Sequence, residues 1–164
     1  MKFVNSRKIK DYSNVFIEME KDWDYEHYQF ILTYCGIIEQ RDDQAKLFWK
    51  MWLVYVKDEL IGICGLYEDS SKKRCWLGWF GIFPDFRKKG YGEKCLKFME
   101  KKARKRGYDA LYCYCSDEPL QYYLNDGYVR IGTTDEFLKM YSHEEDLYEF
   151  LGEMDNHVLR KSLV

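Results

Sequence analysis

Every residue from Cys75 to Phe83 is apolar or glycine, Pro84 closes the run, and Gly90 and Gly92 then head a segment whose apolar residues recur at helical spacing. This junction of strand, glycine turn and helix constrains the fold more than any other feature. A strand that is apolar at both parities has to be covered on both faces, which puts it centrally in its sheet. Pro84 cannot donate to a ladder and stops it. Beyond the turn, Cys95, Leu96, Met99 and Ala103 lie along one helical stripe from Glu93 to Arg106, and Gly107 follows as a C-terminal cap.

The rest of the chain supplies further strands and helices around that junction. Phe3 and Val4 open a first strand, and helical faces follow at Tyr12, Val15, Phe16 and Met19, and at Phe30, Ile31, Tyr34, Ile37 and Ile38 with Asp24 as N-cap. Trp49 to Val56 and Leu60 to Tyr67 form a hairpin across Lys57-Asp58-Glu59. Ala110 to Cys115 is a strand, Asp117 caps a short helix through Leu124, and Gly127 precedes a strand from Tyr128 to Gly132. Ser142 and Glu145 have capping-box spacing before the apolar face of Leu147, Tyr148, Phe150, Leu151 and Met154, and His157 to Leu163 closes the chain as a last strand. No repeat and no linker rich in Gly, Ser or Pro interrupts this order.

The 164 residues fall within the roughly 100 to 200 of one domain, so residues 1–164 are expected to share one core, with an acidic helical insertion at about 134–156. Charges at Lys2, Arg7 and Lys8 stand where a secretory signal needs its apolar core, and no stretch is long enough to span a bilayer. The expectation is a cytoplasmic protein without a membrane partner. Cysteines 35, 64, 75, 95, 113 and 115 lie mostly in apolar runs, which points to reduced, buried thiols. His27, His143 and His157 are scattered without ligand spacing, so no metal is expected. A formal charge of −2 gives no global attraction to nucleic acid.

Ile82-Phe83-Pro84-Asp85-Phe86-Arg87-Lys88-Lys89-Gly90-Tyr91-Gly92 has the parts of an anion site. Its glycines let the backbone approach a ligand, the helix N-terminus presents amide donors, and Arg87, Lys88 and Lys89 add positive charge. Cys95 stands where a dinucleotide fingerprint wants a third glycine, and no Gly-Lys-Ser/Thr completes a Walker loop. Without further context, a glycine loop with solvated lysines would be the default.

The context is more specific. Arg87-Lys-Lys-Gly90-Tyr-Gly92, between a strand ending in Pro and an amphipathic helix, resembles the Q/R-x-x-G-x-G/A motif of the GNAT N-acetyltransferase superfamily, and Tyr123-Leu-Asn-Asp-Gly127-Tyr128 is similar to that family's Tyr-x-x-x-Gly-Phe/Tyr segment. The resemblance covers Trp49 to about Thr133 well, Met1 to Phe48 only by element order, and Thr134 to Asn156 hardly at all. It implies an α/β (α+β) GNAT fold, a mixed and mostly antiparallel sheet of six to seven strands flanked by helices. It implies acetyl-CoA as cofactor, with Ile82 and Phe83 engaging pantetheine and the acyl carbonyl, and Arg87, Lys88, Lys89, Gly90, Tyr91 and Gly92 at the pyrophosphate. Gly81 fits the bulge that splays this strand in the family. Tyr123 would lie near the thiol sulfur as general acid, against the alternative of an aromatic that packs the short helix on the sheet.

Two positions depart from the family. Trp76 occupies the place of a glutamate base, which leaves Glu68 as a substitute no better founded than any surface glutamate, while Asp85 follows Pro84 into an exposed turn. Ser116 replaces an asparagine that touches the cofactor in many relatives. The acceptor would be a small-molecule or peptide amine, and a monomer and a homodimer both fit. A catalytically degenerate CoA sensor is the alternative, and a nucleic-acid module using the basic helix 93–106 a weaker one, since that stretch lacks interleaved exposed aromatics. The carboxylates between Asp135 and Asp155 form either a solvated helix face or a wall that draws in a cationic acceptor.

Overall fold

The computed structural model describes residues 1–5, 50–68, 74–140 and 157–164. The helices expected at Tyr12 to Met19 and Phe30 to Ile38, the Ser142–Glu145 capping box and most of the acidic segment lie outside the described residues. The elements are β1 (Lys2–Asn5), β2 (Lys50–Val56), β3 (Glu59–Glu68), β4 (Cys75–Ile82), a 3₁₀ turn (Pro84–Phe86), α1 (Tyr91–Lys105), β5 (Ala110–Cys115), α2 (Asp117–Asn125), β6 (Val129–Gly132), α3 (Thr134–Met140) and β7 (His157–Ser162). Seven strands are hydrogen-bonded in the order β1-β2-β3-β4-β5-β7-β6. This is the mixed sheet expected from the resemblance. The chain divides into two compact units, Met1–Gly65 with Trp79–Leu96 and Leu66–Gly78 with Lys97–Val164.

In the first unit β1 lies antiparallel to β2, from Lys2↔Tyr55 to Asn5↔Trp52. Met51, Trp52, Leu53 and Val54 are all buried, so β2 is covered on both faces. Lys57 and Asp58 both take left-handed backbone, at φ 49° and 67°. The hairpin is therefore a two-residue turn whose twist matches the strands, and Glu59, expected in the connection, belongs to β3. At Gly62 an added Cβ would stand 2.3 Å from the Gly81 carbonyl oxygen. Only glycine permits that approach of β3 to the end of β4.

In the second unit the start of β4 runs parallel to β5, through Cys75↔Leu111 and Trp76↔Tyr112. A parallel pair needs a long crossover, and α1 supplies it. β7 enters between β5 and β6, pairing antiparallel with β5 from Ala110↔Ser162 to Cys115↔His157 and with β6 across an irregularity at Arg130 to Gly132. The stripe on α1 is buried as its periodicity implies: Cys95, Leu96, Met99 and Ala103 are each 0% exposed.

Helix ends follow capping chemistry. At the end of α1, Tyr108 N–H donates to the Ala103 carbonyl (3.2 Å) and Gly107 N–H to Arg104 (2.9 Å). With Gly107 at φ 91°, this is a Schellman cap. α2 begins with Asp117 as its first residue and Ser116 as an N-cap that makes no side-chain bond, one position before the cap expected at Asp117. α3 begins with a capping box that sequence analysis missed: Glu136 N–H donates to Thr133 Oγ1 (3.2 Å) and Thr133 N–H to Glu136 Oε2 (2.8 Å). Cys64, Cys75, Cys95, Cys113 and Cys115 are all buried and none is in a disulfide. No described helix is long and apolar enough to cross a membrane.

Candidate functional site

The glycine turn of the first unit is built by four local interactions. After Ile82 the chain enters the 3₁₀ turn, with Phe86 N–H donating to the Phe83 carbonyl (2.9 Å) and Arg87 N–H to Pro84 (3.1 Å). Arg87 Nε folds back on the Ile82 carbonyl (2.8 Å), and Lys89 Nζ on the Asp85 carbonyl (2.9 Å). Arg87 thereby ties the turn to the end of the strand. The backbone then reverses through two left-handed residues, Lys88 at φ 59° and Gly90 at φ 73°. Lys94 N–H donates to the Gly90 carbonyl (3.4 Å), which makes Gly90 the residue before the first turn of α1. The amides of Tyr91, Gly92 and Glu93 precede the first intrahelical donor, Lys94 N–H.

Residues Arg87 to Gly90 are exposed, and Tyr91 and Gly92 half-buried. The turn therefore offers amide donors at the positive end of a fifteen-residue helix beside three cationic side chains, the chemistry of a phosphate cradle. An added Cβ at Gly90 would meet nothing within 4 Å. The demand for glycine there comes from the backbone angle alone. Lys89 lies over the Phe86 ring (5.5 Å) and Lys94 over Tyr91 (5.9 Å), so part of the basic character is folded onto aromatic surface.

Phe83 N–H, near which an amide is expected to polarise the acyl carbonyl, donates to the Ile61 carbonyl at 2.9 Å. It is already spent on holding β4 to β3.

In the second unit, Tyr123 sits on α2 with 7% of its surface exposed. Its ring packs edge-on against Tyr128 at 5.4 Å and Tyr122 at 5.5 Å. The spacing of Tyr123, Gly127 and Tyr128 has a physical cause. Tyr128 N–H donates to the Tyr123 carbonyl (3.1 Å) and Gly127 N–H to Leu124 (3.0 Å), with Gly127 at φ 89°. This is a second Schellman cap, and the two tyrosines are the residues whose side chains that motif brings together. Burial, then the neighbouring Cys113, Cys115, Tyr122 and Tyr114, push the Tyr123 phenol well above its usual pKa.

The alternatives for a proton acceptor are engaged elsewhere. The Glu68 carboxylate pairs with Arg106, which removes it as a free base. Trp76 is fully buried between Tyr112 and Phe137, each at 5.3 Å. His157 Nε2 is held by Asp117 Oδ1 at 2.7 Å, and its Nδ1 is buried without a partner, so neither nitrogen is open to a bound amine. Arg104 bonds the Leu163 carbonyl (2.7 Å). With Arg106 committed to Glu68, the outer face of α1 is less free for nucleic acid than its composition implies.

Sequence analysis also missed Lys161, Glu100 and Asp126. Lys161 Nζ donates to Glu100 Oε1 and Asp126 Oδ2, both at 2.7 Å. One signal was present: Glu100 follows Leu96 by four residues on the apolar stripe, and a carboxylate there requires a buried partner.

The model of the Acetyltransferase (GNAT) family matches residues 12–123. No curated protein matches the chain significantly. Among solved structures, a GNAT-family acetyltransferase from Staphylococcus aureus Mu50 is similar at a TM-score of 0.63 and 16% identity, over 99% of both chains. A GNAT-family acetyltransferase from Elizabethkingia anophelis with acetyl-CoA bound is similar at a TM-score of 0.56 and 17% identity, over 88% of this chain and 87% of that one. N-acetylglutamate synthase from Neisseria gonorrhoeae, solved with coenzyme A and N-acetylglutamate, gives a TM-score of 0.60 and 18% identity over 86% of this chain but 33% of that protein. At these identities the likeness is one of fold. With a family model matching more than half of its residues and a sheet order to go with it, the chain belongs to the GNAT acetyltransferase family.

Proposed function

We propose that this chain is a cytoplasmic N-acetyltransferase that moves the acetyl group of acetyl-CoA to a primary amine, with residues 1–164 acting as one domain. The observation that carries this reading is the exposed turn at the head of α1, reversed through Lys88 and Gly90, in a chain of the GNAT family. Arg87, Lys88, Lys89, Gly90, Tyr91 and Gly92 would hold the pyrophosphate through amide donors and positive charge. Ile82 and Phe83 would line the pantetheine arm. Because Phe83 N–H is bonded to Ile61, polarisation of the acyl carbonyl falls to an N–H further up β4.

Acetyl-CoA, when bound, supplies an activated acyl group and a thiolate leaving group. The chain's own task is to orient these and manage two protons, one lost by the attacking nitrogen and one gained by the sulfur. Tyr123 serves the second. Its raised pKa keeps the phenol protonated throughout the physiological range, but also makes it a weaker acid toward a thiolate of ordinary basicity. Its contribution therefore belongs near the lower end of the usual range for a general acid. With Glu68 and His157 engaged and Trp76 unable to accept a proton, the amine would lose its proton to a base elsewhere in the chain or to water.

A second reading, a CoA-binding sensor without turnover, is favoured by the pairing of the Glu68 carboxylate with Arg106. Thiol release from acetyl-CoA across small amines, aminoglycosides and peptides separates the two. Release above the rate with water in at least one class is the expected result. Binding of acetyl-CoA without release in any class would select the sensor.

A further inference from the structure

Three ionisable side chains converge on the turn that ends α2. Glu100 projects from α1 with 7% of its side chain exposed, Asp126 is the C-cap of α2, and Lys161 comes from β7. Lys161 reaches both carboxylates at 2.7 Å, while Arg104 approaches the other Glu100 oxygen at 3.5 Å. The ammonium group also lies 5.5 Å from the centre of the Tyr128 ring, and its Cε would be 3.8 Å from a Cβ added at Gly127. It therefore meets three consecutive residues of the Schellman turn, Asp126, Gly127 and Tyr128. Tyr123 is the fourth member of that turn, through its carbonyl and its ring. A surface ion pair would hold little, but the buried Glu100 carboxylate, on losing Lys161, would keep only the more distant and more exposed Arg104 as counter-charge among the described residues.

We propose that Lys161 is a positioning residue for catalysis, fixing the turn after α2 to α1 and β7 and so holding the Tyr123 hydroxyl where the leaving sulfur needs it. This rests on the reading of Tyr123 as general acid. The first residue of α2, Asp117, is held by His157 of β7, and the Lys161 bridge fixes the other end of the helix to α1 and β7.

The test is acceptor-free thiol release from acetyl-CoA, in which water replaces the amine and the same sulfur must leave. Lys161→Met, Lys161→Arg, Tyr123→Phe and the double variant Lys161→Met/Tyr123→Phe are compared. A misplacement of about 1 Å costs on the order of 10²-fold, so Lys161→Met should lower kcat by about ten- to a hundredfold and leave KM for acetyl-CoA unchanged. Lys161→Arg should recover most of the rate. In the Tyr123→Phe background the Lys161→Met change should have no further effect. If Lys161→Met does not fold, Asp126→Asn, which keeps the shape of the turn, carries the same comparison. An additive loss in the double variant, or a rise in KM with kcat intact, overturns the proposal while leaving Tyr123 its role. A wild-type rate in Tyr123→Phe, or no release by the wild type above background, overturns both.

Discussion

Under the proposed reaction, Tyr123 would meet a structural and a chemical demand with one side chain. Its ring is required by the helix cap, which accounts for its burial without any reaction. The proposed reaction uses the hydroxyl and the cap uses the ring, so Tyr123→Phe separates the two demands. Loss of a general acid costs about 10²- to 10⁴-fold, and the raised pKa argues for the lower figure. We expect a kcat reduced about 10²-fold in a chemistry-limited assay, with the Tm and the acetyl-CoA affinity close to wild type. Glu68 gives the opposite expectation. Its carboxylate serves Arg106, so Glu68→Gln should weaken that contact and leave kcat unchanged, whereas a large fall in kcat with normal folding would restore it as a base.

Among the elements, the strands and helices with strong periodicity were legible in the sequence, and their limits were set by residues with unusual backbone. The strand Ala110–Cys115 matches its expected span, and the stripe of α1 is buried as its spacing requires. The hairpin of β2 and β3 was legible, but its two-residue turn was not, because Lys57 and Asp58 take left-handed angles that Lys-Asp advertises less than Asn-Gly or Asp-Gly does. α3 falls within the helical insertion expected at about 134–156, but its start was missed for a different reason: Thr133 and Glu136 have capping spacing, and the richer pattern after Ser142 drew the helix start further along the chain. In the candidate site, glycines and lysines announced the turn at Gly90. The commitment of Phe83 N–H and Glu68 could not be read, since both partners, Ile61 and Arg106, are distant in sequence. These backbone arguments make a stability prediction. Lys57→Asn with Asp58→Gly, the residues such a turn favours, should raise the Tm. Gly107→Ala should lower stability by about 1–2 kcal/mol, which for a chain of this size lowers the Tm by about 2–8 °C. Space is open there, so a neutral result would show that the cap tolerates a side chain.

At the scale of the whole molecule, the core holds several groups that must stay neutral. Burial, then Cys95, pushes the Cys64 thiol well above its ordinary value, and burial, then Cys115, does the same for Cys113. Tyr128 is raised by burial as well. For Lys161, burial alone would lower the pKa, but Asp126 and Glu100 outweigh it and the ammonium group is held above its usual value. A group raised in the folded state contributes stability that is complete below its unfolded pKa and is lost as pH climbs toward the folded one. Under reducing conditions, stability should therefore hold to about pH 8.5, fall as the unfolded chain releases thiol protons, and fall faster above about pH 10 as tyrosines and Lys161 join. Denaturant melts across this range check it. The fall just above pH 8.5 should be shallower in Cys113→Ala, and an identical slope would show that the Cys113 thiol does not drive it.

The central claim is that the turn at Gly90 binds acetyl-CoA, and a thermal shift tests it most directly. A ligand at about a hundred times its Kd adds roughly 2.7 kcal/mol to the folded state, a rise in Tm of about 5–10 °C for a chain of this length. Gly90→Val forces a branched side chain onto φ 73°, where an added Cβ meets nothing within 4 Å. A clear shift is expected in the wild type and none in folded Gly90→Val. An equal shift in both, or no shift in the wild type, would contradict the claim.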